Sequence, residues 1–165
     1  GRRATRRGPP RRFSMRAVVQ RVLSASVEVD GKTVSSIGPG LVCLIGLGKG
    51  DGEEEQDFVA RKIINGRLFH NEESGKTWSQ SVTQRNLEVL LVSQFTLFCK
   101  FKGNKADFHH AMGPTEARET YAGFVERIAR AYRPDKVKDG VFGAMMKVAL
   151  VNDGPVTVIV DSDHK

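Results

Sequence analysis

Two apolar runs near the C-terminal end, Val148 to Val151 and Val156 to Val160, are separated by Asn152-Asp153-Gly154-Pro155. Both runs are rich in β-branched residues and read as strands. The Gly-Pro pair restricts what can lie between them. Glycine reaches backbone angles that a Cβ forbids, while proline fixes its own φ and has no N–H to give a sheet. An X-Pro bond is also cis in roughly 5–6% of folded cases. The plain reading is a tight hairpin turn between two strands. The functional reading is a stiff backbone edge whose carbonyl oxygens point where an ordinary turn would not send them.

At 165 residues the chain is long enough for one domain with a substantial core. Its net charge of +7 is unevenly spread. Six of the 26 basic residues are arginines within residues 1–12, which leaves 20 basic against 19 acidic side chains in the rest. The basic character is therefore mostly that of a tail, residues 1–14, for which disorder is expected. An acid-free arginine-rich stretch also suits an organellar targeting segment or a loose nucleic-acid arm, although Gly8-Pro9-Pro10 spoils an amphipathic helix. Met15 is a candidate alternative start. The folded pattern begins there, and residues 15–165 are expected to form a single domain. Cys43 and Cys99 both fall in apolar runs without metal-ligand spacing, which points to free thiols in a reducing compartment, the cytoplasm. No apolar run reaches membrane-spanning length.

The pattern from Met15 onward predicts an α+β fold, with mixed, largely antiparallel sheets flanked by two main helices. Residues 17–19 begin a strand. Ala25, Val27 and Val29 alternate with polar neighbours, and Asp30-Gly31 turns the chain into Lys32 to Ile37. Leu41 to Ile45 reads as a strand buried on both faces. Gly46 to Gly52 resembles a phosphate loop but fits neither the dinucleotide fingerprint nor the Walker pattern, and three glutamates follow it. It reads as a flexible connection. A helix is expected over Glu53 to Asn65, a strand at Arg67 to Phe69, and a long loop over Asn71 to Gln84 anchored by Trp78. His70 is expected at the surface. Gly113-Pro114-Thr115-Glu116 opens a second helix, with Ala117, Tyr121, Phe124, Ile128 and Ala131 on its packed face.

The second informative stretch is Leu87 to Phe98. Polar Ser93, Gln94 and Thr96 interrupt an otherwise buried run. An unpaired buried polar group costs about 1–3 kcal/mol, so such residues have partners or a task. One task is a strand end where backbone N–H groups turn outward to hold a ligand oxygen. Lys100, Lys102 and Lys105 follow with Phe101 and Gly103, a loop suited to an RNA backbone or simply to solvent. His109-His110 comes next, with no third residue spaced to complete a metal site.

These stretches together resemble the D-aminoacyl-tRNA deacylase (D-Tyr-tRNA deacylase) family. The likeness rests on Met15-Arg16-Ala17-Val18-Val19-Gln20-Arg21-Val22, Ser93-Gln94-Phe95-Thr96-Leu97, Lys102-Gly103-Asn104, Phe142-Gly143-Ala144 with Met146, and Asn152-Asp153-Gly154-Pro155-Val156-Thr157. It covers essentially Met15 to Asp161. The chain departs from the family pattern in its arginine-rich start, at Phe98-Cys99-Lys100 and at His109-His110.

The resemblance implies a homodimer without cofactor or metal, acting on the ester between a D-amino acid and the 3′-terminal adenosine of tRNA. It further implies that Gly154-Pro155 of one subunit, in the cis form, enters the site of the other and rejects L side chains by steric clash. Achiral glycine would pass that filter, making glycyl-tRNA a second substrate. The catalytic segment is Gln94, Phe95 and Thr96: the Phe95 and Thr96 N–H groups hold the developing oxyanion and Gln94 fixes the local geometry. A covalent Thr96 nucleophile is the alternative, and it lacks an evident base. Ser93, Phe142 and Met146 would bind the substrate, and Lys100, Lys102 and Lys105 the acceptor-stem phosphates. Competing readings are a non-catalytic RNA-binding module and a hydrolase of another small ester.

Overall fold

The computed structural model describes residues 14–164; the expectations for the arginine-rich tail fall almost wholly outside them. The fold is organised by one long strand, β1 (Arg16–Val29). Asp30 and Gly31 both take positive φ, the two-residue turn the sequence suggests, and lead into β2 (Lys32–Ile37). The strand β3 (Gly40–Gly46) pairs antiparallel with the first half of β1. Parallel to β3 runs β4 (Glu88–Ser93), and parallel to β4 runs the short β7 (Val137–Asp139). The last strand, β8 (Lys147–Asp161), lies antiparallel along the other side of β1 over almost its whole length. The result is a mixed six-stranded sheet, with a separate ribbon of β5 (Lys100–Lys102) and β6 (Lys105–Asp107).

Period-two alternation assigns the side chains of β3 and β4 to two faces. Leu41, Cys43, Ile45, Val89 and Leu91 join one apolar cluster, while Val42, Leu90 and Val92 join the other. The first cluster is completed by the helices α1 (Glu53–Asn65) and α2 (Pro114–Ala131). Phe58, Val59, Ile63 and Ile64 of α1 face inward, as do Tyr121, Phe124 and Ile128 of α2. Ala131, expected on the packed face, is exposed at the last turn of α2. The most enclosed of these side chains, such as Phe124, each contribute about 2–3 kcal/mol of apolar burial. Burial also raises the pKa of the Cys43 thiol, which fits an inert core residue.

Four further features depart from the sequence reading. Arg67 to Phe69 forms no strand, only a bridge between Phe69 and Gln80. Trp78 does not anchor its loop: it is 59% exposed, with φ of 51°. The segment after β3 is tied down rather than flexible. Asp51 Oδ2 accepts the Gly48 N–H at 2.6 Å, Lys49 N–H donates to the His110 carbonyl and Met112 N–H to that of Leu47. Its glycines answer to packing, since a Cβ at Gly46 or Gly48 would stand about 3 Å from the Phe98 ring. The fourth departure concerns Asn152 to Pro155.

Candidate active site

No hairpin forms at Gly154-Pro155. Val148 to Val151 and Val156 to Val160 belong to the same strand, and both pair with β1. Arg21 lies opposite Val156, while the next β1 residue, Val22, lies opposite Asn152. Asp153, Gly154 and Pro155 therefore have no partners on β1 and form an outward bulge. The Gly154-Pro155 bond is cis and both residues are exposed. Gly154 has φ of 122°, and a Cβ there would meet Val156 and Arg21 at 3.1 to 3.3 Å, so glycine is required on two grounds.

Arg21 fixes this bulge. Its Nε donates to the Asp153 carbonyl at 3.2 Å and stands 3.4 Å from the Asp153 carboxylate, while Nη1 donates to the Leu68 carbonyl at 2.6 Å. The guanidinium fork thus ties the bulge to the segment after α1.

The second part of the site begins where β4 ends. Ser93, half-buried, pairs with Ile45, and Gln94 N–H donates to the Ile45 carbonyl at 2.8 Å. Phe95–Phe98 then form a single 3₁₀ turn, with Leu97 N–H donating to the Gln94 carbonyl. The leading N–H groups of such a turn, those of Phe95 and Thr96, have no acceptor within it. Both residues are exposed, and the Phe95 ring meets Phe108 edge to face at 5.2 Å. Gln94 Nε2 donates to Thr96 Oγ1. That partner is an amide donor, which cannot take a proton from the hydroxyl.

Arg16 holds this turn as Arg21 holds the bulge. Its Nη1 donates to the Leu97 carbonyl at 3.0 Å, and its guanidinium lies 4.9 Å from the Phe98 ring centroid. It also pairs with Asp161 at 3.4 Å. Neither arginine emerged as functional from the sequence alone. The available signal was their setting: two arginines five residues apart in a half-buried strand, where a guanidinium needs acceptors.

The remaining candidates surround the turn. Gly140 N–H donates to the Leu91 carbonyl, which brings the segment after β7 to within two residues of Ser93. Phe142, on that segment, packs on the helix-side cluster beneath Arg118, whereas Met146 packs on the opposite cluster. Tyr121 donates to the Asp139 carboxylate at 2.5 Å beneath them. Lys100, Lys102 and Lys105 are exposed on the β5–β6 ribbon. Asp107, at the base of the ribbon, accepts from His109, which holds its carboxyl well below the usual range. Partial desolvation and the charges of His109, Lys100 and Lys49 push the His110 pKa down. Arg16 and the ribbon lysines thus supply positive charge near the turn, and the neighbouring carboxylates of Asp161 and Asp107 are paired with Arg16, His109 and Lys102.

The D-Tyr-tRNA(Tyr) deacylase family model matches residues 18–161. The chain belongs to that family. Membership makes it an enzyme, a hydrolase of the deacylase class. It is 50% identical to the D-aminoacyl-tRNA deacylase of Dictyostelium discoideum, with 92% of this chain and all of the relative aligned. It is 53% identical to D-aminoacyl-tRNA deacylase 1 of Bos taurus, over 90% of this chain and 70% of that one. Among solved structures, one described as the c-Myc DNA unwinding element binding protein superimposes with a TM-score of 0.85 and 50% identity, covering 88% of this chain and 97% of its own. A probable eukaryotic D-amino acid tRNA deacylase shares the fold, with a TM-score of 0.79 at 18% identity, covering 90% and 100%. The two segments on which the sequence resemblance chiefly rests are the turn held by Arg16 and the bulge held by Arg21.

Proposed function

We propose that this chain hydrolyses the ester joining a D-amino acid to the 3′-terminal adenosine of tRNA, and that it acts as a homodimer. The observation that carries the reading is the separation of the two signature segments. They lie on strands three places apart and differ by four to five residues along the sheet. With about 3.3 Å per residue and about 4.8 Å per strand, they are about 20 Å apart. A bulge of three residues does not span that distance, so the Gly154-Pro155 edge serves a site on another copy of the chain.

In that arrangement the edge stands over the Ser93-Gln94-Phe95-Thr96 turn of the second subunit. Its stiffness rejects an L side chain by clash and admits a D-aminoacyl or glycyl group. The Phe95 and Thr96 N–H groups, which have no acceptor within the turn, stabilise the oxyanion that forms as the ester carbonyl is attacked. The attacking oxygen is a positioned water, or the adenosine 2′-OH assists it. Thr96 need not act as a nucleophile, since the Gln94 amide on its hydroxyl is no base. Ser93 and the segment that carries Phe142 and Met146 border the adenosine, and Lys100, Lys102 and Lys105 meet phosphates. Free cysteines agree with a cytoplasmic enzyme. Among the described residues no helix is long and apolar enough to cross a membrane.

The test is turnover of matched D- and L-aminoacyl-tRNA by the purified protein. Rapid release from the D ester with little from the L ester is expected, and glycyl-tRNA should be cleaved as well. Equal rates on both enantiomers would overturn the gate.

A further inference from the structure

Phe101 is 73% exposed on a short ribbon that otherwise bears charge. Ribbon pairing sets Phe101 opposite Ala106, Lys100 opposite Asp107 and Lys102 opposite Lys105, with Gly103 in the turn at φ of 60°. Strand alternation therefore puts Phe101 and Ala106 on one face and the three lysines with Asp107 on the other. Asp107 is already engaged by His109 and by Lys102 at 3.4 Å, which leaves that face strongly cationic. The opposing alanine supplies only a methyl group to cover the ring.

We propose that Phe101 is a stacking platform for an unpaired base in the tRNA 3′ end, one of those preceding the terminal adenosine; this rests on the deacylase reading above. A single nucleic-acid strand presents flat π-faces together with a phosphate backbone, and a ribbon with one aromatic face and one cationic face suits both. The placement agrees. Only Cys99 separates the ribbon from the 3₁₀ turn, and Phe101 lies three residues beyond Phe98. That is about 10 Å of extended chain. Stacked nucleotides rise about 3.4 Å each along a strand, so a terminal adenosine at the turn leaves up to about three nucleotides within reach of the ring. A duplex would bury its π-faces, so the ring selects the unpaired end and not the acceptor stem. Phe101 is accordingly a positioning residue, remote from the reacting atoms.

The experiment compares wild type, Phe101→Ala, Phe101→Leu and Phe101→Trp on two substrates, a D-aminoacyl-tRNA and the same D-aminoacyl ester of adenosine alone. The preference for the tRNA ester, as a ratio of kcat/KM values, should fall about 5- to 150-fold in Phe101→Ala, the contribution of one stacked base. The loss should appear in KM. Phe101→Trp should restore the preference and Phe101→Leu should not. A preference unchanged within twofold in Phe101→Ala, or restored fully by Leu, overturns the proposal. Binding of uncharged tRNA with and without its last three nucleotides gives a readout independent of turnover. Wild type should prefer the intact end and Phe101→Ala should lose that preference. If wild type cleaves neither ester, the deacylase reading fails, and the binding comparison still decides the role of Phe101.

Discussion

Replacing Arg21 tests how the Gly154-Pro155 bulge is held. In Arg21→Met the apolar stem remains and the fork is lost. Two charge-assisted hydrogen bonds to main-chain carbonyls disappear, at 2.6 and 3.2 Å. Bonds of this kind contribute about 1.5–3 kcal/mol each. The ion pair adds little, under about 1 kcal/mol, because the Asp153 side chain is 41% exposed. Water reaching the freed carbonyls offsets part of the loss, so a stability decrease of about 2–4 kcal/mol is expected. For a chain of this size each kcal/mol lowers Tm by about 2–4 °C, giving a drop of about 5–15 °C. Function should suffer beyond stability. A misplacement of about 1 Å can cost on the order of 10²-fold in rate, and a loosened edge should admit L-aminoacyl esters. Thermal unfolding and the D-to-L ratio of kcat/KM, measured well below the lowered Tm, check both parts. Arg21→Lys keeps the charge without the fork and should fall between Met and wild type. An Arg21→Met protein with unchanged Tm and unchanged D-to-L ratio would refute the idea that this guanidinium sets the edge.

Asp51 is enclosed, and desolvation pushes its pKa up to about 7, with Glu55, Asp163 and Asp161 adding to the rise against the Gly48 hydrogen bond. The folded state therefore holds its proton more tightly than the unfolded state. Its contribution to stability is full below about pH 4 and is lost as pH rises through about 7. Urea unfolding of wild type and Asp51→Asn should diverge across pH 4 to 7, with wild type losing ground as pH rises and the difference levelling off above; a constant difference would contradict the assignment. Gly40→Ala should destabilise by about 1–3 kcal/mol or more, because its Cβ would stand 1.9 Å from the Glu88 carbonyl oxygen and force β3 away from β4. An unaltered denaturation midpoint would show that the two strands separate freely. Thr96→Ala should keep near-normal D-aminoacyl-tRNA cleavage, and a loss above about 10³-fold would restore the covalent mechanism.

Features governed by neighbours in the chain were legible in the sequence. The bounds of α1, the start of α2 at Pro114 and the Asp30-Gly31 turn follow from caps and turn chemistry within a few residues. What stayed hidden depends on distant partners. Asn152 to Val156 resembled a hairpin because nothing local reveals that both flanking runs pair with β1, more than 120 residues earlier. The loop at Gly46 to Gly52 looked mobile because its ties run to His110 and Met112. Trp78 looked like an anchor by composition, yet it takes a positive φ and stands exposed. Both signature segments of the site could be found, but the arginines that hold them could not, since Leu97 and Asp153 come near β1 only after the sheet has closed.

The antiparallel union of β1 with β8 also governs when this enzyme can come into being. A ribosome releases the strand that must flank Arg16 to Val29 only after everything from β2 to β7 has been made. Until then the opening strand has one long edge unsatisfied, and contacts so distant in sequence form slowly. Loss of even the last dozen residues of β8 by premature termination would therefore take away both the lateral partner of the sheet's central strand and the Gly154-Pro155 edge in one stroke.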